Sequence, residues 1–211
     1  MKVTKLEHAA LLIEASGKTL LIDPGSLTTP VTEPGQAVAI VITHEHADHW
    51  SPDQLNRILS KVPRVPIYGP AGVAAAAEGF DVIVVAEGDT IEADPFTLQF
   101  FGSAHAEIHH TVPVPGNVGV LVNDRLFYPG DAFTVPGVPV DTLAVPASAP
   151  WMKLGEAMDY LAEVAPKRAF PTHDMLLSAA GRGLHNARLA EAMAAAGGEY
   201  LPLEPGQSID I

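Results

Sequence analysis

The chain of 211 residues has no cysteine. A disulfide framework is therefore excluded, and any metal site has to be built from histidine and carboxylates. Cations are scarce as well: 12 Lys and Arg stand against 25 Asp and Glu, a net charge of −13. A protein that tracks a phosphate backbone needs a basic stripe, so no nucleic-acid partner is expected. A small anionic substrate is still allowed, because the local field of a site can oppose the net charge. Long hydrophobic runs are missing too. The apolar run Ala9–Ile13 near the start is shorter than a secretory signal requires, and no stretch approaches the ~20 apolar residues of a membrane span. These absences point to a cytoplasmic protein with no membrane partner. There is also no P-loop, no dinucleotide glycine fingerprint and no G-x-S-x-G elbow.

What is present is a hydrophobic fraction of 47%, ample for a core. The length favours one domain over residues 1–211. Val3–Ile13 and Lys18–Ile22 read as two strands joined at Ser16–Gly17. Val38–Ile42 is apolar on both faces and reads as a central strand. Ser51-Pro52-Asp53-Gln54 opens a helix, with Ser51 as cap, proline at the first position and glutamine at the third. Further strands are expected at Val65–Tyr68, Val82–Ala86, Phe96–Phe101, Thr142–Val145 and Arg168–Phe170. A hairpin is expected over Asn123–Asp124, and helices at Gly72–Glu78, Lys153–Val164 and Leu184–Ala196. Strands come first and then alternate with helices, in both halves. An α+β arrangement of two mixed sheets packed face to face, with helices outside, fits that rhythm.

The densest chemistry lies in ITHEHADHW, between the buried strand and the capped helix. Three histidines, a glutamate and an aspartate fall within six residues, and such groups are costly to bury unless something pairs with them. A loop at the C-terminal end of a strand is where α/β proteins place their sites. His44 and His46 are two apart and point the same way in extended backbone. Asp48 and His49 follow after the chain turns. The natural reading is two neighbouring cations, one held by each pair. A solvated histidine loop is the plain alternative, and H-x-H-x-D-H in this setting argues against it. Further ligands should follow other strands. FFGSAHAEIHH offers His105, His109 and His110, with His105 nearest its strand and His109 the alternative. YPGDAF offers Asp131, a carboxylate able to bridge two metals, and FPTHD offers His173.

These residues, with the opening LEHAALLIEASGKTLLIDPG, resemble the metallo-β-lactamase-fold hydrolases, and within them the ascorbate-phosphate lactonase-like branch. The resemblance runs from about Val3 to His173. It implies an αββα sandwich with the metals at one edge between the sheets. It further implies one metal on His44, His46 and His105, a second on Asp48, His49 and His173, and Asp131 shared. The branch with a cysteine ligand is excluded. His8 and Asp23 are expected to act behind the ligands or on substrate, as is His109. Trp50 and Trp151 are expected to be packing residues, and His185 a surface one.

Two divalent ions are expected, zinc first, with manganese and iron as alternatives. The expected activity is hydrolysis of an ester-like bond, a lactone or a small phosphoester, in a small-molecule metabolite. A metal-bound hydroxide would be the nucleophile and Asp48 the catalytic residue that orients it. A nuclease, a di-iron redox protein and a non-catalytic metal-binding protein remain as rivals. Self-association into a homo-oligomer is compatible with the sequence.

Overall fold

The computed structural model describes all 211 residues. The N-terminal half builds one mixed sheet from β1 (Lys2–Lys5), β2 (Leu11–Ala15), β3 (Lys18–Ile22), β4 (Ala37–Val41), β5 (Ile67–Gly69) and β6 (Val82–Val84). Helices α1 (Pro52–Lys61) and α2 (Ala71–Ala76) lie between its later strands. The second half repeats the plan with β7 (Thr90–Ala93), β8 (Phe96–Phe101), β9 (Gly119–Val122), β10 (Leu126–Tyr128), β11 (Thr142–Pro146), β12 (Arg168–Thr172) and β13 (Glu199–Tyr200). Its helices are α3 (Leu154–Val164) and α4 (Ala179–Ala195), and β14 (Ser208–Asp210) returns to pair with β1. Each sheet has seven strands, in the orders β14-β1-β2-β3-β4-β5-β6 and β13-β12-β11-β10-β9-β8-β7. In both, antiparallel strands come first and parallel strands follow, the first parallel pair joined by a loop and the later two through helices.

Alternation decides which faces meet. On β8 the buried residues are Phe96, Leu98 and Phe100, every second position. They join Leu11, Ile13, Leu20, Ile22 and Val41 in a cluster of 21 buried residues between the sheets, against 12 in each cluster between a sheet and its helices. The largest core is therefore the sheet–sheet interface, and the layers run α, β, β, α. No helix is long and apolar enough to cross a membrane.

Several boundaries differ from the sequence reading. Val3–Ile13 is two antiparallel strands rather than one, because Glu7–Ala10 closes a turn in which His8 adopts a φ of 57°. Helix α4 starts at Ala179 rather than Leu184, since Ser178 Oγ accepts from Gly181 N and caps an earlier first turn. Strands β13 and β14 are too short to show alternation. The hairpin over Asn123–Asp124 forms with both residues at positive φ (52° and 53°), the geometry of a tight two-residue turn.

Candidate metal centre

Sheet direction brings the polar residues to one edge. Strands β3 and β4 are parallel, as are β10, β11 and β12, and β8 runs the same way as β10. The segments leaving β3, β4, β8, β10 and β12 carry Asp23, the His44–His49 loop, His105, Asp131 and His173. The β1–β2 turn, carrying His8, arrives at that same edge.

Three groups of donor atoms result, each gathered within 4.8 Å: His44, His46 and His105; His8, Asp48 and His173; and His44, His49 and Asp131. His44 Nε2 and His46 Nδ1 face each other at 3.0 Å. Asp131 Oδ1 lies 3.2 Å from His49 Nε2, while its Oδ2 lies 3.1 Å from His173 Nε2 and 3.4 Å from His105 Nε2. Asp131 thus touches both halves of the cluster. Asp48 Oδ2 sits 3.4 Å from His173 Nε2 and 3.1 Å from His8 Nε2. His105 is in the cluster, whereas His109 and His110 are exposed; His109 bonds Thr111 Oγ1 at 2.8 Å.

The rear nitrogen of most of these imidazoles is occupied. His49 Nδ1 contacts Asp23 Oδ2 at 2.6 Å, His44 Nδ1 contacts Thr43 Oγ1 at 3.1 Å, and the Nδ1 atoms of His105 and His173 donate to the carbonyls of Ala106 and Ser148, both at 2.5 Å. Rear partners of this kind fix the tautomer and aim the other nitrogen forward. In front, His49 Nε2, His105 Nε2, His173 Nε2 and Asp131 Oδ1 are buried with no hydrogen-bond partner. Unpartnered buried polar atoms are rare, and several pointing at one place call for a shared partner. Imidazole and carboxylate donors without thiolate suit zinc, manganese or iron, so the residues fit a pair of divalent cations.

Electrostatics separates the histidines. Burial, joined by the charge of His49, pushes His44 well below the ordinary imidazole range. Burial likewise lowers His46 and His8. For His173 burial acts downward too, but the negative charges of Asp131 and Asp48, 3.1 and 3.4 Å from its Nε2, overcome it and raise the group to about 9. His49 is raised in the same way by Asp131 and Asp23. Burial opposes ionisation of Asp48, but the nearby His173, 3.4 Å away, and the hydrogen bond from His8 hold its carboxyl far below the usual range.

The backbone is strained where the site is tightest. His8, Asp23 and His173 all have left-handed φ, between 47° and 57°. Such conformations cost about 1 kcal/mol or more each and persist where surroundings over-determine them. His173 N donates to His8 O at 2.8 Å, and Met175 N to His8 Nδ1 at 3.4 Å, which leaves His8 Nε2–H to face Asp48. Asp23 is fully buried behind His49 and also accepts from Thr43 N, Thr43 Oγ1 and Tyr128 OH.

Two residues stand where the sequence did not put them. Trp151, expected to be packing, donates its indole N–H to Asp131 Oδ2 at 2.8 Å and lies edge-on to His105. His185, expected at the surface, contacts Ala147 O through Nδ1 at 2.6 Å and so braces the segment whose Ser148 holds His173. Neither carries a local signal, since each acts through a partner far along the chain. Trp50 does pack in the core beneath α1.

Fold and centre together define a metal-dependent hydrolase of the metallo-β-lactamase type. The chain belongs to the β-lactamase superfamily: residues 2–173 match the model of the beta-lactamase superfamily domain. It is 40% identical over 197 residues to protein Rv0786c of Mycobacterium tuberculosis, covering 90% of this chain and 92% of that one. It is 32% identical over 120 residues to a UPF0173 metal-dependent hydrolase of Chelativorans, about half of each chain. Among solved structures it is similar to Igni18, a metallo hydrolase of Ignicoccus hospitalis, with a TM-score of 0.74 at 17% identity over 99% of this chain and 97% of that one.

Proposed function

We propose that the protein hydrolyses an ester-like bond, a lactone or a small phosphoester, in a small cytoplasmic metabolite, using two divalent ions of which zinc is the first choice. The carrying observation is the convergence of unpartnered buried nitrogens and an Asp131 oxygen on one point, with each of those imidazoles held from behind. His44, His46 and His105 would hold one ion. Asp48, His49 and His173 would hold the other, and Asp131 would reach both. What such ions supply when bound is activation of water near neutral pH and polarisation of the scissile carbonyl or phosphoryl oxygen.

The two carboxylates divide the remaining work by position. The Asp131 side chain is 5% exposed and forms the floor, steadied by Trp151. The Asp48 side chain is 29% exposed and faces the open side, where substrate must arrive. Ionised and fixed by His8 and His173, it can accept a hydrogen bond from a water and orient that water's lone pair toward the reacting atom. For an ester, water oxygen adds to the acyl carbon, the bond to the alkoxy oxygen breaks, and that oxygen leaves with a proton. The test is His46→Ala and Asp131→Ala. Each should lower bound metal, read by elemental analysis, and abolish metal-dependent turnover of a lactone and phosphodiester panel. Undiminished turnover in both would refute the reading.

A further inference from the structure

Every segment at the metal edge lacks one thing: a free cation. Residues 6–10, 23–35, 43–50, 102–118, 129–140, 147–152 and 173–178 contain no Lys or Arg. Lys5, next to the first segment, is wholly buried against Asp174 at 3.1 Å, and Lys153, two residues past Trp151 and outside these segments, extends into solvent with its side chain 88% exposed, 3.7 Å from Glu156. Glu33, Glu45 and Glu107 add negative charge to the same loops. The distal part of an anionic substrate would meet carboxylates there and no counter-charge.

The same loops expose apolar side chains. Eleven large hydrophobic residues are exposed in the whole protein, and only Ile83, Val84 and Leu184 lie outside these segments. The other eight lie on the loops that carry the residues of the site. Ile108 is three residues past His105, Val135 four past Asp131, and Met175 two past His173 with its backbone N–H on His8. Leu27 is two residues past Gly25, whose backbone packs directly on the Asp48 carbonyl. Part-exposed Trp151 and Phe133, with ring centroids 4.9 Å apart, add an aromatic wall beside His105. Apolar side chains exposed on the loops that carry a polar centre, next to an aromatic wall, offer the non-reacting part of a ligand an apolar surface.

We propose that the substrate is a carboxylic ester or lactone whose non-reacting part is uncharged and apolar, and that phosphorylated or otherwise anionic metabolites are poor ligands. This rests on the hydrolase reading above and chooses between its two substrate classes. Straight-chain alkyl hydroxamic acids, which bind zinc without being turned over, provide the probe. Titrated calorimetrically into the zinc-loaded full-length protein from acetyl to octanoyl, they should tighten about three- to fourfold per added methylene. Probes of matched length ending in a carboxylate should bind at least about tenfold more weakly, as expected where a charge is desolvated unpaired. A flat alkyl series, or preference for the carboxylate-ended probe, overturns the proposal. The exposed-site variants Ile108→Lys and Met175→Lys should flatten the alkyl series and bring the two probe types together; if neither changes either series, the proposal also fails. Turnover of p-nitrophenyl hexanoate is read in parallel. A rising hydroxamate series without turnover sinks the hydrolase reading and leaves the apolar surface standing, whereas turnover with a flat series sinks this inference alone.

Discussion

Two of the clustered imidazoles are held charged and three are held neutral, and this sorting is a thermodynamic commitment. His173, raised to about 9, and His49, raised well above its ordinary range, each favour the protonated form in the folded chain. A raised histidine stabilises the fold fully below its unfolded value of about 6.5, and the gain is lost as pH climbs through the folded value. The metal-free protein should therefore lose stability between about pH 6.5 and 9, read as a falling midpoint in urea, while the metal-loaded form holds steady. Metal uptake must also expel those protons. Calorimetry at pH 7 in buffers of different ionisation heat should show about two protons released on loading, and markedly fewer above pH 9. Release that does not vary with pH would mean that these imidazoles are neutral before the metal arrives. At this scale the sequence was most informative about identity. H-x-H-x-D-H, His105, Asp131 and His173 are recognisable because each follows an apolar strand. Trp151 and His185 were not, because a hydrogen bond to Asp131 or Ala147 leaves no trace in neighbouring residues.

Elements set where those side chains can reach. Ser51 caps α1 by accepting from Gln54 N at 3.3 Å, as its sequence suggests. Gln54, read as the third-position partner in that cap, does something else. Its Nε2 donates to Thr28 O at 2.8 Å and its Oε1 accepts from Val31 N at 3.0 Å. These loop groups are buried and need partners, so the helix start pins the loop after β3 against the loop after β4. Gly25 completes that junction, with Ser26 N donating to Ala47 O at 2.8 Å beside it. A Cβ at Gly25 would overlap the Asp48 carbonyl and stand 2.8 Å from His49 N, both rigid backbone atoms. Gly25→Ala should thus cost about 3 kcal/mol in urea unfolding and displace Asp48 and His49, lowering metal content. A variant that is as stable and as metal-loaded as the parent would show that the two loops can separate freely.

At the scale of the whole molecule, the centre sits on the seam between two sheets and depends on their registration. One device that holds the seam is ionic. Lys5 on β1 is fully buried and bonds Asp174, just past β12, at 3.1 Å, beside the His173–His8 backbone bond. Removing one partner of a buried pair strands the other, at about 3–5 kcal/mol, while replacing both with apolar groups is often nearly neutral. Lys5→Ala should accordingly destabilise by about 3 kcal/mol in urea, and Lys5→Met with Asp174→Leu by clearly less. Equal losses in both would show that shape, rather than the unpaired charge, is what the pair contributes.

The amino-acid sequence on its own determined the class of donors, the absence of thiolate chemistry, the order of strands and helices, and the edge at which polar residues collect, because periodicity, caps and strand-end motifs are written locally. It did not determine the split of Val3–Ile13 into two strands, the start of α4, the two-residue pairing of β13, or the entry of Trp151 and His185 into the site. Those follow from backbone pairing and side-chain contacts between residues as far apart as His8 and Met175. They were decided only when the sheets closed on one another, since a hydrogen bond across 20 to 170 positions depends on distance in space and not on spacing along the chain.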